Sequence, residues 1–571
     1  MELGGAVNLI VQTGGAKQWQ LDIRSDALQR YALENHDLTL VDEQPLASMG
    51  DGETLGDFLS WGVEQYPADH YMVVLWDHGS SVVDGLVFDE LFGNDSLTLN
   101  ELADGLAAPG VTFELIGFDT CLMASMENAA MVAPYGRYMV ASEEIEPGGG
   151  WDYGHWTQYL AAHPESDGLA LGKVICDSYY DKCAASGNEA MATLSVIDLA
   201  AIPALTAAFD DMAGEMAHIT TDITTLQAFA KGASRAENYG GNTADEGYTN
   251  MVDLGDLVLN TEDVLVETGD AMLEALFAAV PYQVKGSNRL DANGLSVFFP
   301  ISLYDNDLDR YADVATSAQY LRYLEVMYNW TAPDWVEQQA EAVVGSVSEE
   351  DYDIALSTYI SDDGYYYLLI DNALEAVQDL QFSLFYLDYD SNECLLLGYD
   401  DDIGSDWESG VFSDNFRGVW ATLNGFYCAP RLIGYGDDYN LYSIPILLNG
   451  RQTNLRARYV WEAEGGHYEL LGVWDGIDSD SGMAARDIYA LEDGDEVTLL
   501  FDAYQLDSGE TYTYEMGGFV VDGTVTMEES PLTDGEYMYQ YIVTDLFGNE
   551  YYSDPIIMKC DDGDIYLYEM Q

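Results

Sequence analysis

Two short stretches carry residue types that could do covalent chemistry together. One is Tyr71-Met-Val-Val-Leu-Trp-Asp-His78-Gly79-Ser80, and the other is Phe113-Glu-Leu-Ile-Gly-Phe-Asp119-Thr-Cys121. Each is an apolar run of β-branched and aromatic residues that stops at a polar tip, the pattern of a buried strand. A helical pattern follows each after a loop, so both read as strands of a parallel sheet. The carboxyl ends of such strands share one edge, where ligands bind. His78 and Cys121 then sit at neighbouring strand ends, and a thiol beside an imidazole can make a thiolate nucleophile with its acid/base partner. Alone, each has an ordinary explanation: a strand-end histidine is commonly structural, and a lone cysteine behaves as a small buried hydrophobe. Their placement on two equivalent tips favours chemistry. Gly79 would let backbone N–H approach a substrate oxygen with no Cβ in the way. With the Cys121 N–H it would form an oxyanion hole; otherwise Gly79 marks a turn. Asp119 lies two residues before Cys121, on the same side of an extended strand. The competing role for Asp119 is to cap a helix starting near Leu122.

The elements around these tips alternate. Apolar runs fall at Val7–Gln12, Tyr71–Trp76, Phe113–Phe118, Tyr138–Ala141, Ala192–Ile197 and Leu295–Phe299. Helical periodicity falls at Leu55–Gln65, Leu99–Ala107, Met123–Val132, Leu169–Ala184, Ile202–His218, Val264–Ala279 and Ala318–Tyr328. Strands separated by helices predict an α/β domain with a mainly parallel sheet covered on both faces, over residues 1–334. Beyond a helical connector at Trp335–Val344 the pattern changes to short aromatic-rich runs broken by Asp/Gly turns, as in Tyr365–Leu369, Gln381–Tyr386 and Glu496–Phe501. These predict β-rich, sandwich-like domains. A break near Asp437–Tyr442 divides them into 335–440 and 441–571.

The bulk numbers narrow the partners. Lys and Arg total 19 against 102 Asp and Glu, a net charge of −83, which disfavours nucleic acid and anionic membranes and would attract cationic substrates. An acidic, solubilising surface explains most of this charge equally well. The six cysteines are too sparse for a disulfide scaffold, and no CxxC or clustered Cys/His metal spacing occurs. No apolar run reaches the length of a membrane-spanning helix, and no signal peptide is visible. Asp388-Tyr-Asp390-Ser-Asn392-Glu393 alternates oxygens but lacks the EF-hand glycine, and Asp478-Ser-Asp480-Ser-Gly482 is also off pattern. Clusters such as Asp400–Asp402 read more readily as solvated turns.

Strand–Asp-His-Gly followed by strand–Asp-x-Cys resembles the clostripain family of cysteine peptidases, which have a caspase-like fold. Val11-Gln-Thr-Gly-Gly-Ala16, the block Ala141–Tyr153, Thr193–Asp198 and Gly294–Pro300 resemble family blocks too, so the likeness covers roughly residues 5–330. The resemblance implies that Cys121 is the nucleophile, His78 the general acid and base, and Gly79 with Cys121 the oxyanion hole. It also implies that Asp119 sits in a pocket favouring Arg or Lys before the cut bond, with a second acid from Glu143, Glu144 or Asp152. Asp77, beside His78, reads as structural. No cofactor is required by this chemistry, and calcium stays open because some relatives need it. Protein or peptide substrates, a monomeric state and an extracellular or bacterial cell-surface location are what the family implies.

Two departures stand out. Some relatives cut themselves after a basic residue between the His and Cys strands, yet no Lys or Arg occurs from Tyr31 to Gly136. The chain also enters its first strand almost at once after Met1-Glu-Leu-Gly-Gly5, so an N-terminal strand and helix are expected to be missing. The alternative to a peptidase cutting after Arg or Lys is an inactive peptidase-like protein whose β-modules hold a surface or a glycan.

Overall fold

The computed structural model describes residues 7–569 apart from 21, 35, 36, 363, 417, 437, 463, 464 and 507. The opening Met1–Gly5 and Asp437, at the expected break, lie outside the described residues.

The α/β half is built on a five-stranded sheet. Met72–Trp76, Phe113–Asp119 and Gly136–Ala141 run parallel, Thr193–Asp198 pairs antiparallel with Gly136–Ala141, and Tyr282–Lys285 pairs antiparallel with Thr193–Asp198 and so points the same way as the first three. Four of these five strands point one way, and Thr193–Asp198 runs against them. The apolar pattern that predicted these strands does not encode direction, so the reversal of Thr193–Asp198 is not visible in it. Successive residues of a strand point to opposite faces, and the core divides accordingly. Ile116, Phe118 and Met139 join one apolar cluster with the helices Leu99–Ala107, Met126–Val132 and Ile202–Ile219. Leu115, Val140 and Val196 join a second cluster under the helix Gly168–Ser186, where Cys176 and Cys183 are buried small hydrophobes.

The opening strand, Ile10–Thr13, lies outside this sheet. It pairs antiparallel with Ala27–Glu34, which pairs with Asp37–Pro45. The run near Leu295–Phe299 forms Ser296–Phe298 in a separate three-stranded sheet. The connector is helical only over Val336–Gln339.

The remaining chain is β-rich, with an antiparallel 13-stranded sheet between Val377 and Glu569 beside four- and three-stranded sheets. Residue 440 falls inside the strand Tyr439–Leu448, and strands from both sides of that point share the large sheet. All six cysteines are free and buried. Asp388 accepts hydrogen bonds from the Asp390 and Ser391 N–H groups, and Asp478 from Ser481, so both acids close turns. Among the described residues no group of three or more His, Cys, Asp or Glu forms a metal cage, and no helix is long and apolar enough to cross a membrane.

The two halves pack closely. Trp474, Ala484 and Leu546 of the β-rich half belong to the apolar cluster of the α/β half. Arg456 forms a fully buried ion pair with Glu246 at 2.9 Å, and Arg431 pairs with Asp245 at 2.5 Å.

Candidate active site

Register sets the site. Trp76 is the parallel partner of Asp119, so His78 and Cys121 each follow two residues past a matched pair at one sheet rim. Gly79 approaches Cys121 closely: a Cβ built on Gly79 would lie 2.2 Å from the Cys121 carbonyl oxygen and 3.1 Å from its nitrogen. No other residue fits there without moving the backbone. Leu122, directly after the cysteine, is held at φ +64°, the left-handed region that costs a non-glycine residue strain. Such outliers concentrate where a turn must aim a functional group. The next helix, Met126–Val132, is capped by Ser125, whose hydroxyl accepts from the Asn128 N–H at 3.1 Å. Asp119 is thus not spent on that cap.

Asp119 is fully buried and both of its carboxylate oxygens are engaged. Its Oδ2 accepts from the Trp151 N–H at 3.0 Å, and its Oδ1 accepts from Nη2 of Arg486 at 2.6 Å. Arg486 comes from the β-rich half, in the loop between the strands Gly465–Trp474 and Ile488–Tyr489. Its Nη1 donates to the strand-end carbonyls of Asp77 at 3.0 Å and Asp119 at 3.2 Å. Glu146 Oε2 lies 3.6 Å from Nη2, and the guanidinium sits 6.0 Å from the Trp76 ring centre. Burial opposes the charge of Arg486, but Cys121, Asp119 and Glu146 together hold its pKa above the ordinary value.

The thiol is enclosed. Cys121 has no exposed surface, and its Sγ accepts from the Glu146 N–H at 3.3 Å. Burial pushes the thiol up to about 12, against the opposing pull of Arg486. The His78 imidazole is also engaged, with Nδ1 2.7 Å from the carbonyl oxygen of Ala484. A carbonyl can only accept, so Nδ1 carries the proton and Nε2 is left as the basic nitrogen. Among the described residues no hydrogen bond joins the imidazole to the thiol. Topology thus brings the two strand tips together, while their side chains are held by other groups.

Among the described residues none of the three acids named from the sequence bonds the Arg486 guanidinium. Glu144 pairs with Arg289 and accepts from the Ile145 N–H at 2.7 Å. Glu143 accepts from the Gly294 N–H at 3.0 Å, and Asp152 caps the helix Tyr153–Ala162. All three are committed to holding the surrounding loops. Glu146 faces the guanidinium instead, and burial together with nearby Asp119 raises its carboxyl well above the usual range. Its place in a loop, with no periodic signal, hid it in the sequence. Arg486 was further from view, since nothing local to it marks a pocket 367 residues back.

Several solved structures are similar in part. A secreted C11 cysteine protease from Bacteroides thetaiotaomicron, solved with an irreversible peptide inhibitor, is 19% identical with a TM-score of 0.41, covering 52% of this chain and 85% of its own. An inactive zymogen C11 protease from Parabacteroides distasonis is 21% identical with a TM-score of 0.39, covering 55% and 90%. A clostripain from Bacteroides thetaiotaomicron in complex with a peptide inhibitor is 22% identical with a TM-score of 0.28, covering 39% and 93%. No curated protein sequence matches the chain. The sequence pattern of the Clostripain family matches residues 3–288, half of the chain and the whole of the site's rim. The protein belongs to the clostripain family and is a cysteine-type peptidase.

Proposed function

We propose that the chain is an endopeptidase that cuts after Arg or Lys, with Cys121 as nucleophile and His78 as general acid and base. The observation that carries the basic preference is the 2.6 Å pairing of a guanidinium with Asp119 beside the thiol. A recessed carboxylate selects a planar, charged donor strongly. Glu146 adds a second acid to the same pocket.

In this mechanism the Cys121 thiol gives its proton to His78, and the thiolate adds to the scissile carbonyl carbon. The N–H groups of Gly79 and Cys121 hold the resulting oxyanion. The carbon–nitrogen bond breaks as His78 returns the proton to the leaving amine, leaving a thioester on Cys121. His78 then takes a proton from water as hydroxide adds to the thioester carbon, the carbon–sulfur bond breaks, and His78 returns the proton to the Cys121 sulfur as the carboxyl product leaves. An extracellular or cell-surface place of action goes with this reading and rests on family membership.

The burial of Cys121 favours a second reading, in which the domain is inactive and serves to bind. Fluorogenic peptides ending in Arg or Asp separate the two. The first reading expects Arg peptides to be cleaved and Cys121→Ala to abolish turnover, and unchanged turnover by Cys121→Ala would end the mechanism.

A further inference from the structure

The loop that carries Arg486 occupies the rim from three directions. Arg486 fills the acidic pocket, the Ala484 carbonyl accepts from the Nδ1–H of His78, and Asp487 accepts from the Gly148 N–H at 2.8 Å. Its own domain holds the loop in shape. Trp474 Nε1 donates to the Ala485 carbonyl at 2.8 Å, the Ala485 N–H donates to Gly476 at 3.0 Å, and Asp478 closes the tip turn. The Ile477 N–H donates to the Glu246 carbonyl at 2.7 Å, next to the buried Arg456–Glu246 pair, so the loop base is tied to the docked interface. The tip itself, Asp478–Asp480, is exposed.

Basic residues are scarce, 19 in 571, and none lies between His78 and Cys121. One of them is nevertheless seated on Asp119, with 6% of its side chain exposed. A carboxylate already bound to one guanidinium cannot receive a second in the same geometry. We infer that the segment Gly476–Asp487 is a built-in plug, with Arg486 standing in for a substrate's basic side chain, and that the full chain is latent until this loop withdraws. This rests on the basic-pocket reading above and names its regulator. The equilibrium is between a closed form, in which Arg486 holds the pocket, and an open form that admits peptide.

The test reads access to Cys121 with iodoacetamide, an uncharged alkylating probe, on the full chain, with mass spectrometry to locate the label. Arg486→Gln should speed labelling about tenfold or more, because it removes the contact that favours the closed form. Added ethylguanidine should slow the variant back toward wild type by refilling the pocket, an effect a merely structural role would not produce. Asp487→Ala should act in the same direction but less. That residue is exposed and its loss strands no buried charge, so it decides the matter if Arg486→Gln does not fold. Equal labelling of wild type and folded variants overturns the plug. So does slower labelling or slower Arg-peptide cleavage in Arg486→Gln, which would make the loop a part that completes the site. Fast labelling without cleavage of any peptide would keep the plug and sink the peptidase specificity. Fast Arg-peptide cleavage by wild type, unchanged in the variants, would do the reverse.

Discussion

Arg456 and Arg486 both leave the β-rich half to pair with an acid of the α/β half, 210 and 367 residues back, and the two pairs are satisfied to different degrees. Arg456 donates from Nε and Nη2 to both oxygens of Glu246 at 2.9 Å and from Nη2 to the Gly240 carbonyl at 2.8 Å. Ser443 donates to the same carboxylate, and the guanidinium lies 4.1 Å from the Trp474 ring centre. Arg486 meets the Asp119 carboxylate through one oxygen and the Asp77 and Asp119 carbonyls through Nη1, but its buried Nε has no hydrogen-bond partner among the described residues, and neither has Glu146 Oε2. Buried charges hold best when every donor and acceptor is used. Arg456 therefore reads as the permanent clamp between the halves, and Arg486 as a contact that can be exchanged for another of the same chemistry.

Breaking the clamp should have the largest effect. Arg456→Gln leaves Glu246 buried and unpaired, which costs about 3–5 kcal/mol. Thermal unfolding should show a clear fall in midpoint, whereas Arg486→Gln should shift it less. Comparable falls for both would erase the distinction.

Next is the acid beneath the exchangeable contact. In the Arg486→Gln background, Asp119→Asn should lower kcat/KM for Arg peptides about a hundredfold, the scale of losing a charged hydrogen bond in a dry pocket, and should leave Ala peptides much less affected. Equal loss on both substrates would make Asp119 a structural residue.

The smallest effect is in pH. Glu146 is raised by burial first and by Asp119 second, with Arg486 opposing. Cys121, Tyr153, Tyr179, Cys176 and Cys183 also feel its charge. Withdrawal of the loop would admit water and relieve burial, the largest cause, outweighing the loss of the opposing Arg486, so the carboxyl binds its proton more tightly in the closed form. The closed form is thus favoured fully below the ordinary value of 4.5 and loses that support as pH rises above it. Hydrogen exchange of the amides of Met483–Asp487, corrected for the intrinsic rate, should show more opening as pH rises, and Glu146→Gln should flatten the trend. Greater opening at low pH would contradict this.

The sequence carried the rim better than the cover. Strand tips at His78 and Cys121 were legible because uninterrupted apolar runs end there, and Leu99–Ala107 was bounded correctly because Thr98 and Glu101 form a capping box. The paired strands Ala27–Glu34 and Asp37–Pro45 escaped notice, since the second is almost wholly exposed and its alternation of Leu38 and Leu40 breaks at Val41. Strand direction and the pairing of Arg486 with Asp119 depend on contacts distant in the chain, which local periodicity does not record.

The most direct measurement is cleavage of an Arg-terminated fluorogenic peptide by full-length Arg486→Gln and by the double variant that adds Cys121→Ala. The account predicts turnover by the first, at a higher rate than wild type, and none above background by the second. Turnover that survives the loss of the thiol would contradict it.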